Sequence, residues 1–234
     1  MEKIQDLDYY LRDFSCRDQL ADKCISLLLS DISDGRITYN DIDRLKNCTA
    51  TELWISGLNQ DTFEYLIETY GQQFKVIYFW KCPLIANFKK LEKLINIEFL
   101  IFFWNQRANH LWDLSKNPNL KGISFDDFTR MHTLEEIPLA PNLEELYFGD
   151  KVWNKYILDS LEPLSRAEKL KKIIFSAKKI NDNDITPLAK IKNLERLEFT
   201  SNLFSTEQIA WLTANTTSIN SSILAPCQKV EISA

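Results

Sequence analysis

The sequence of 234 residues contains little of the chemistry on which enzymes and metal sites depend. It has only two histidines, His110 and His132, and its five glycines form no phosphate-binding run. No group of cysteines and histidines has the spacing of metal ligands. The sequence therefore predicts no catalytic residue, no metal site and no cofactor, and we expect a protein that is not an enzyme.

Long apolar runs and an excess of positive charge are also missing. No stretch reaches the roughly 20 apolar residues of a membrane span, and residues 1–13 lack the apolar core of a signal peptide. The net charge of −5 disfavours binding to phosphate backbones. The five widely spread cysteines are typical of reduced thiols. We expect a cytoplasmic protein that binds neither nucleic acid nor membrane.

What the chain does have is a motif, apolar-x-x-apolar-x-apolar, that recurs every 23 to 27 residues from about residue 50 onward. The first apolar column is Ala50, Phe74, Ile97, Leu120, Leu143, Leu170 and Leu194. The second column is Leu53, Ile77, Leu100, Ile123, Leu146, Ile173 and Leu197. The third column is Ile55, Phe79, Phe102, Phe125, Phe148, Phe175 and Phe199. Such a period predicts a solenoid in which each unit contributes one short strand to a parallel sheet and packs against its neighbours.

Two units, residues 191–202 (IKNLERLEFTSN) and 94–105 (LINIEFLIFFWN), match L-x-x-L-x-x-L-x-L-x-x-N at every fixed position. This pattern resembles the leucine-rich repeat family. The resemblance implies an α/β fold, a right-handed horseshoe-shaped solenoid with a parallel sheet on its concave side, which binds another macromolecule, most often a protein. In that family the final asparagine satisfies backbone groups inside the turn. Other units replace it with Leu58, Cys82, Phe128, Lys151 and Lys178, so less regular turns are expected there.

The two ends of the chain depart from the repeat. Residues 1–48 lack the motif, and the helical spacing of their apolar residues predicts a helical cap over the first unit. The apolar residues with this spacing are Leu20, Cys24, Leu27 and Leu28. The array then covers residues 49–234, with seven clear units and a degenerate closing unit around 219–224.

The segments that return from one strand to the next differ in kind. An Asp61–Glu64 capping pair predicts a helix that ends near Gly71, and Ser205 with Gln208 predicts another helix. Residues 131–141, with two prolines, should return without a full helix. The 27-residue unit has room for a longer helix or a protruding loop around 153–163.

Residues between the apolar columns should face the concave surface, because alternate side chains of a strand point to opposite sides. In the first three units these residues are large and apolar, whereas in later units they are mostly small or charged. An exposed patch of this kind marks an interaction site, and Trp and Tyr are common interface anchors. The predicted protein-binding residues are Trp54, Tyr78, Trp80, Phe99, Ile101, Phe103, Trp104, Asp126 and Tyr147. An acidic flank is predicted at Asp126, Asp127, Glu145 and Asp150.

Several alternatives to this interaction module remain open. Residues 1–48 would make the patch ordinary core if they fold over it, since strands buried on both sides have nearly continuous apolar sequences. A homodimer formed through the patch would make the protein a self-associating scaffold. An inhibitor or immunity-type protein is a narrower version of partner binding. Catalysis by a Cys82–His110 pair is disfavoured because the repeat places Cys82 facing inward.

Overall fold

The computed structural model describes residues 5–11, 24–27, 36–150, 152–216 and 219–225. The strands in these ranges are β1 (Cys24–Leu27), β2 (Glu52–Ser56), β3 (Val76–Trp80), β4 (Phe99–Asn105), β5 (Gly122–Phe128), β6 (Glu145–Gly149), β7 (Ile157–Leu158), β8 (Lys172–Ser176), β9 (Lys179–Ile180) and β10 (Arg196–Phe199). Eight of them form one parallel sheet in the order β1-β2-β3-β4-β5-β6-β8-β10. The other two, β7 and β9, pair in a small second sheet. The seven strands that the repeat predicts are therefore all present, and they make an α/β solenoid.

The apolar columns set the register of the large sheet. Ile77 pairs with Leu100, and Leu100 pairs with Ile123, so second-column residues of successive units lie side by side. Every second-column residue is fully buried. In the third column, the rings of Phe148 and Phe175 stack with centroids 5.1 Å apart. Burial of each such side chain stabilises the fold by about 1.5–3 kcal/mol, so the repeating columns form the core.

Strand β1 was not predicted. It pairs in parallel with β2, with Ile25 beside Leu53 and Leu27 beside Ile55. The helix predicted through Cys24 and Leu27 is therefore wrong. The pair Ile25-x-Leu27 continues the second and third columns, and its backbone hydrogen-bonds the edge of β2 that would otherwise be open.

The described part of residues 1–48 also contains two α-helices of one turn and the 3-10 helix Asp43–Leu45. The two α-helices are α1 (Leu7–Tyr10) and α2 (Tyr39–Ile42). Leu20 and Leu28, which carried the rest of the helical pattern, lie outside the described residues. A helical cap over residues 1–48 thus stays a prediction.

The returning segments contain two longer helices, α3 (Gln60–Thr69) and α4 (Thr206–Ala214). The capping box of α3 is formed by Asn59 and Thr62, two residues earlier than predicted, because Asn59 has the extended backbone that an N-cap requires. The predicted Ser205–Gln208 box of α4 is confirmed. None of the described helices is long and apolar enough to cross a membrane.

Short 3-10 helices provide most other returns. They are Asp43–Leu45, Gly71–Gln73, Lys89–Lys93, Leu114–Lys116, Ile137–Leu139, Glu162–Arg166 and Thr186–Lys190. The return through residues 131–141 has only one of these single turns, as its prolines predict. The 27-residue unit forms a loop that contains β7 rather than a longer helix.

Asparagines just before the strands link neighbouring units. Asn119 donates from Nδ2 to the carbonyl oxygen of Ile95 at 2.8 Å, and Asn142 donates to that of Pro118 at 2.9 Å. Asn193 makes the equivalent bond to Glu168 at 2.7 Å. Sequence reasoning missed this ladder, although an asparagine directly before the first apolar column recurs in the sequence and was its signal.

Candidate functional site

Three parallel rows of residues run along the concave face of the sheet, across the strands. Each row takes one residue from the same position of successive strands, between or beside the core columns. The edge row is Glu52, Val76, Phe99, Gly122, Glu145, Lys172 and Arg196. The middle row is Trp54, Tyr78, Ile101, Ser124, Tyr147, Ile174 and Glu198. The rim row is Ser56, Trp80, Phe103, Asp126, Gly149 and Ser176. Strand alternation places all three rows opposite the apolar columns.

Residues 5–11, the N-terminal segment, lie across the edge and middle rows. Leu7 and Tyr10 of α1 belong to the same buried cluster as Phe99, and the rings of Tyr10 and Phe99 have centroids 5.0 Å apart. Gly122 makes room for this contact. A Cβ at Gly122 would lie 2.6 Å from Cδ1 of Phe99 and 3.0 Å from Cγ of Leu7. The missing side chain in the edge row thus lets the segment approach the sheet.

Charged contacts hold the N-terminal segment at its acidic residues. The hydroxyl of Tyr147 donates to Oδ1 of Asp8 at 2.7 Å. The other oxygen, Oδ2, accepts from Lys172 at 3.1 Å and from Arg196 at 2.8 Å. Lys172 also contacts Asp6 at 3.0 Å. Two basic side chains of β8 and β10 therefore bind two carboxylates that lie more than 160 residues away in the sequence.

Burial and charge act in opposite directions on these ionisable groups. Burial favours a raised pKa at Asp8, but the hydrogen bonds from Tyr147 and Lys172 outweigh it and hold this pKa below its ordinary value. Burial likewise works against the charge of Lys172, yet its hydrogen bonds to Asp6 and Asp8 raise its pKa. Burial raises the pKa of Glu145, which accepts the backbone N–H of Leu7 at 2.9 Å.

We expect the contribution of Asp8 to stability to disappear in acid. Its folded-state pKa is lowered, so the folded protein favours the ionised carboxylate; the contribution is present above the ordinary value of 3.8 and is lost as the pH falls through the lowered pKa. Urea unfolding of wild type and Asp8→Asn at a series of pH values measures this. Wild type should be the more stable at pH 7, and the difference should shrink below pH 3.8. A difference that is constant with pH would contradict the ion-pair account.

The N-terminal segment changes the environment of the predicted binding residues. Five of the nine are at most 8% exposed, and they are Trp54, Tyr78, Phe99, Ile101 and Tyr147. The remaining four, Trp80, Phe103, Trp104 and Asp126, are half-buried. The structure thus places eight of the nine in the three rows and Trp104 directly after the rim row, and it divides them into a buried group and a partly open group.

The partly open group contains an aromatic cluster, which we define as Trp80, Phe103 and Trp104. The rings of Trp80 and Phe103 stack with centroids 4.4 Å apart and an interplanar angle of 17°. Nζ of Lys81 lies 5.5 Å from the ring centroid of Trp80 and 5.9 Å from that of Trp104. A cation near two indoles is attracted by their π electrons. The cluster is thus an ordered surface of large side chains.

A left-handed backbone supports the end of this cluster. Lys81, Trp104 and Asp127 follow the rim row at equivalent positions and have φ values of 51°, 64° and 60°. Gly57 occupies the same position one unit earlier, with φ 75°. A bulky side chain such as Trp104 rarely adopts this conformation, and where it does the strain is held by surrounding structure and often marks a functional position.

The predicted acidic flank is not one continuous surface. Glu145 lies beneath the N-terminal segment, and Asp150 accepts the backbone N–H groups of Val152, Trp153 and Lys155. The acidic side chains therefore have separate roles, and the role of Asp150 is to organise a loop.

Trp153 contacts Asp127 on the strand that follows the aromatic cluster. Asp127 is 4% exposed, and burial together with the charge of Asp150 raises its pKa, against a hydrogen bond from the Trp153 side chain. Trp153 is 58% exposed. Asp127 occupies the position on β5 that Trp104 occupies on β4, so Trp153 hydrogen-bonds the strand next to the aromatic cluster. Sequence reasoning did not select it, although the 27-residue interval marked the loop.

The described residues offer little for catalysis or metal binding. Burial raises the pKa of the Cys82 thiol to about 12, so this thiol is not an activated nucleophile. His110 is exposed, with Nδ1 2.6 Å from Oδ1 of Asn109. Across the described ranges, no three His, Cys, Asp or Glu side chains are arranged to hold a metal ion.

A cavity of about 410 Å³ lies beside Tyr10 at the start of β2 and β3. Its lining includes Glu52, Lys75 and Glu98. Glu98 is paired with Lys75 at 3.1 Å and with Lys121 at 2.6 Å. The lining is thus largely polar and ion-paired, unlike the mostly apolar walls of typical small-molecule sites.

No protein-family model matches this chain, and a search of curated proteins found no match. Among solved structures, a leucine-rich repeat protein of Leptospira interrogans matches with a TM-score of 0.54 and 14% identity, over 89% of this chain and 56% of that one. Internalin C2 of Listeria monocytogenes matches with a TM-score of 0.45 and 17% identity, over 80% of this chain and 84% of that one. Internalin F of the same species matches with a TM-score of 0.40 and 15% identity, over 82% of this chain and 64% of that one. The parallel sheet, the buried repeat columns and the similarity to the Leptospira structure show that this chain has the leucine-rich repeat fold.

Proposed function

We propose that this protein is a non-enzymatic interaction module that binds a partner protein through the concave face of its sheet, with the aromatic cluster as the anchor. The single observation that carries the proposal is the stacked pair Trp80–Phe103, which stays half-buried while the rows beside it are covered. Large aromatic side chains at the centre of an interface contribute most of its binding energy.

The side chains of the cluster also pack against one another in the absence of a partner. The rings of Trp80 and Phe103 stack on each other, and Nζ of Lys81 lies near the rings of Trp80 and Trp104. Side chains that are already ordered lose less entropy on binding, so more of the contact energy appears as affinity. Trp153, 58% exposed on the neighbouring loop, offers a further contact for the same partner.

Exchange of two cluster residues should remove binding. A partner captured from a lysate of the source organism by wild type is expected to bind Trp80→Asp/Phe103→Asp at least about 30-fold more weakly, since loss of a hot spot costs about 2 kcal/mol or more. Affinity is then measured with the purified partner by titration calorimetry. Circular dichroism must first show that the variant is folded, and Trp104→Ala serves as a milder second variant.

The matched control is Trp211→Asp, which changes a tryptophan that is 42% exposed on α4 and off the concave sheet. It should retain the partner. If the folded double variant retains the partner as well as wild type does, the aromatic cluster is not the site. If light scattering shows a wild-type homodimer that the double variant disrupts, the cluster serves self-association instead.

A further inference from the structure

We infer that the concave face between β4 and β10 is a groove for an acidic, aromatic segment of the partner protein, and that residues 5–11 occupy it as an internal competitor. This inference rests on the proposed function, because it assigns partner chemistry to the same face. It concerns the edge and middle rows, whereas the aromatic cluster belongs to the rim.

The groove is matched to carboxylates. Nζ of Lys172 lies within 3.5 Å of three of them, on Asp6, Asp8 and Glu145, and its side chain is only 16% exposed. Arg196 adds a second cation at 2.8 Å from Asp8. With no acid in the groove, Lys172 would keep only Glu145 among these three, so it would be available to a carboxylate of another chain.

The apolar part of the groove has a defined shape. Gly122 leaves space for one apolar side chain, which Leu7 fills, and Phe99 offers its ring to Tyr10. The hydroxyl of Tyr147 fixes the carboxylate of Asp8 between these two contacts. The chemistry of the ligand can therefore be read from its present occupant. It is an acid, an apolar residue and a second acid in succession, with an aromatic residue two positions further on.

The present occupant is held by contacts that another chain could replace. The helix of the segment is a single turn, which has no stability of its own in water. Asp8 remains 44% exposed and Arg196 36% exposed, and ion pairs at such positions are weak individually. Because residues 5–11 are tethered to the sheet and therefore bind at a high effective concentration, a partner segment with the same acids would need further apolar contacts to displace them. Because the net charge of the whole chain is −5, long-range attraction does not favour such a partner, and selection depends on the groove itself.

The test uses a fluorescein-labelled peptide with the sequence of residues 5–11 (QDLDYYL) and the full-length protein. Fluorescence polarisation should show weak binding to wild type, because its own segment occupies the groove. The variant Leu7→Ser/Asp8→Ser should bind the peptide at least about 10-fold more tightly, since the apparent affinity rises with the fraction of open groove. When Lys172→Glu/Arg196→Glu is added to this variant, the gain in peptide affinity should be abolished.

Matched controls separate recognition from general charge. Lys190→Glu reverses a lysine that is 59% exposed and pairs with Glu162 away from the groove, and it should leave peptide binding unchanged. A peptide in which Asp8→Arg replaces the central acid should fail to bind the Leu7→Ser/Asp8→Ser variant. It should bind the variant that also carries Lys172→Glu/Arg196→Glu. If Leu7→Ser/Asp8→Ser does not fold, the same titration is run with Asp8→Asn, for which a smaller gain is expected.

Two results would overturn the inference. A folded, opened variant that binds the peptide no better than wild type would make residues 5–11 ordinary core. A wild-type dimer that Lys172→Glu dissociates in light scattering would assign the groove to a second copy of the chain. The proposed function can fail independently of this inference. An opened variant that also carries Trp80→Asp/Phe103→Asp should still bind the peptide, even if the aromatic cluster proves to bind no partner.

Discussion

The substitution Gly149→Ala is expected to lower the free energy of unfolding by about 3 kcal/mol, which combines a strained dihedral with overpacking. Gly149 ends β6 with a φ of 123°, which side chains rarely allow. A Cβ there would lie 1.8 Å from the carbonyl oxygen of Ser176 and 2.9 Å from its backbone nitrogen. Both obstacles are backbone atoms, so β8 itself must move. Urea unfolding followed by circular dichroism measures the loss.

The close approach at Gly149 also positions the edge of the candidate site. The carbonyl oxygen of Ser176 accepts the backbone N–H of Asp150 at 2.9 Å, and Oγ of Ser176 donates to the carbonyl oxygen of Asp150. Asp150 in turn holds the loop that carries Trp153. The variant should therefore weaken partner binding at the loop as well as stability.

Gly57→Ala is the matched control for this variant. Gly57 also has a positive φ, 75°, but its counterparts in the next units are Lys81 and Trp104, so its position accommodates a side chain. Only the dihedral penalty should remain, and the expected loss is about 1 kcal/mol. Equal losses for the two glycine variants would mean that the contact with Ser176 relaxes without cost.

The sequence was sufficient to predict the sheet because its information is local and repeated. Leu100 and its equivalents in the other units recur at nearly constant intervals, and each recurrence requires the same strand in the same register. Strand β1, at the edge of the sheet, was harder to predict. One Ile25-x-Leu27 pair without a full motif does not distinguish a strand from a helix. Its assignment depends on the open edge of β2, which only the folded sheet presents.

The candidate site was predictable only in part, for a related reason. Strand alternation predicted that Trp54, Tyr78 and Trp80 share one face, and they do. The sequence could not show which of them solvent reaches, because the cover comes from contacts such as Leu7 with Glu145, 138 residues apart. Such contacts depend on shape and charge across the whole solenoid. The unbroken apolar run of β4 was the one local sign that this face is covered.

The substitution Asn105→Ala is expected to cost about 3 kcal/mol of stability, since several buried backbone groups lose their partners at once. Asn105 is 3% exposed, and its Nδ2 donates to the carbonyl oxygens of Cys82 and Ile85 at 3.1 and 2.9 Å. Its Oδ1 accepts from the backbone nitrogens of Arg107 and Ala108 at 3.0 and 2.9 Å. One side chain thus satisfies backbone groups in the turns that follow β3 and β4, and it is adjacent in sequence to Trp104 of the aromatic cluster.

Asn202 is the sequence-matched control, because it occupies the same consensus position in the last clear unit but is exposed. Asn202→Ala should change the free energy of unfolding by less than about 0.5 kcal/mol, as is usual for surface substitutions. Urea unfolding of both variants measures the contrast, and similar losses in the two would contradict it. Because Trp104 immediately precedes Asn105 with a φ of 64°, release of this turn should also free Trp104 from its strained backbone. Asn105→Ala should therefore weaken partner binding even at temperatures where the protein remains folded, whereas Asn202→Ala should not.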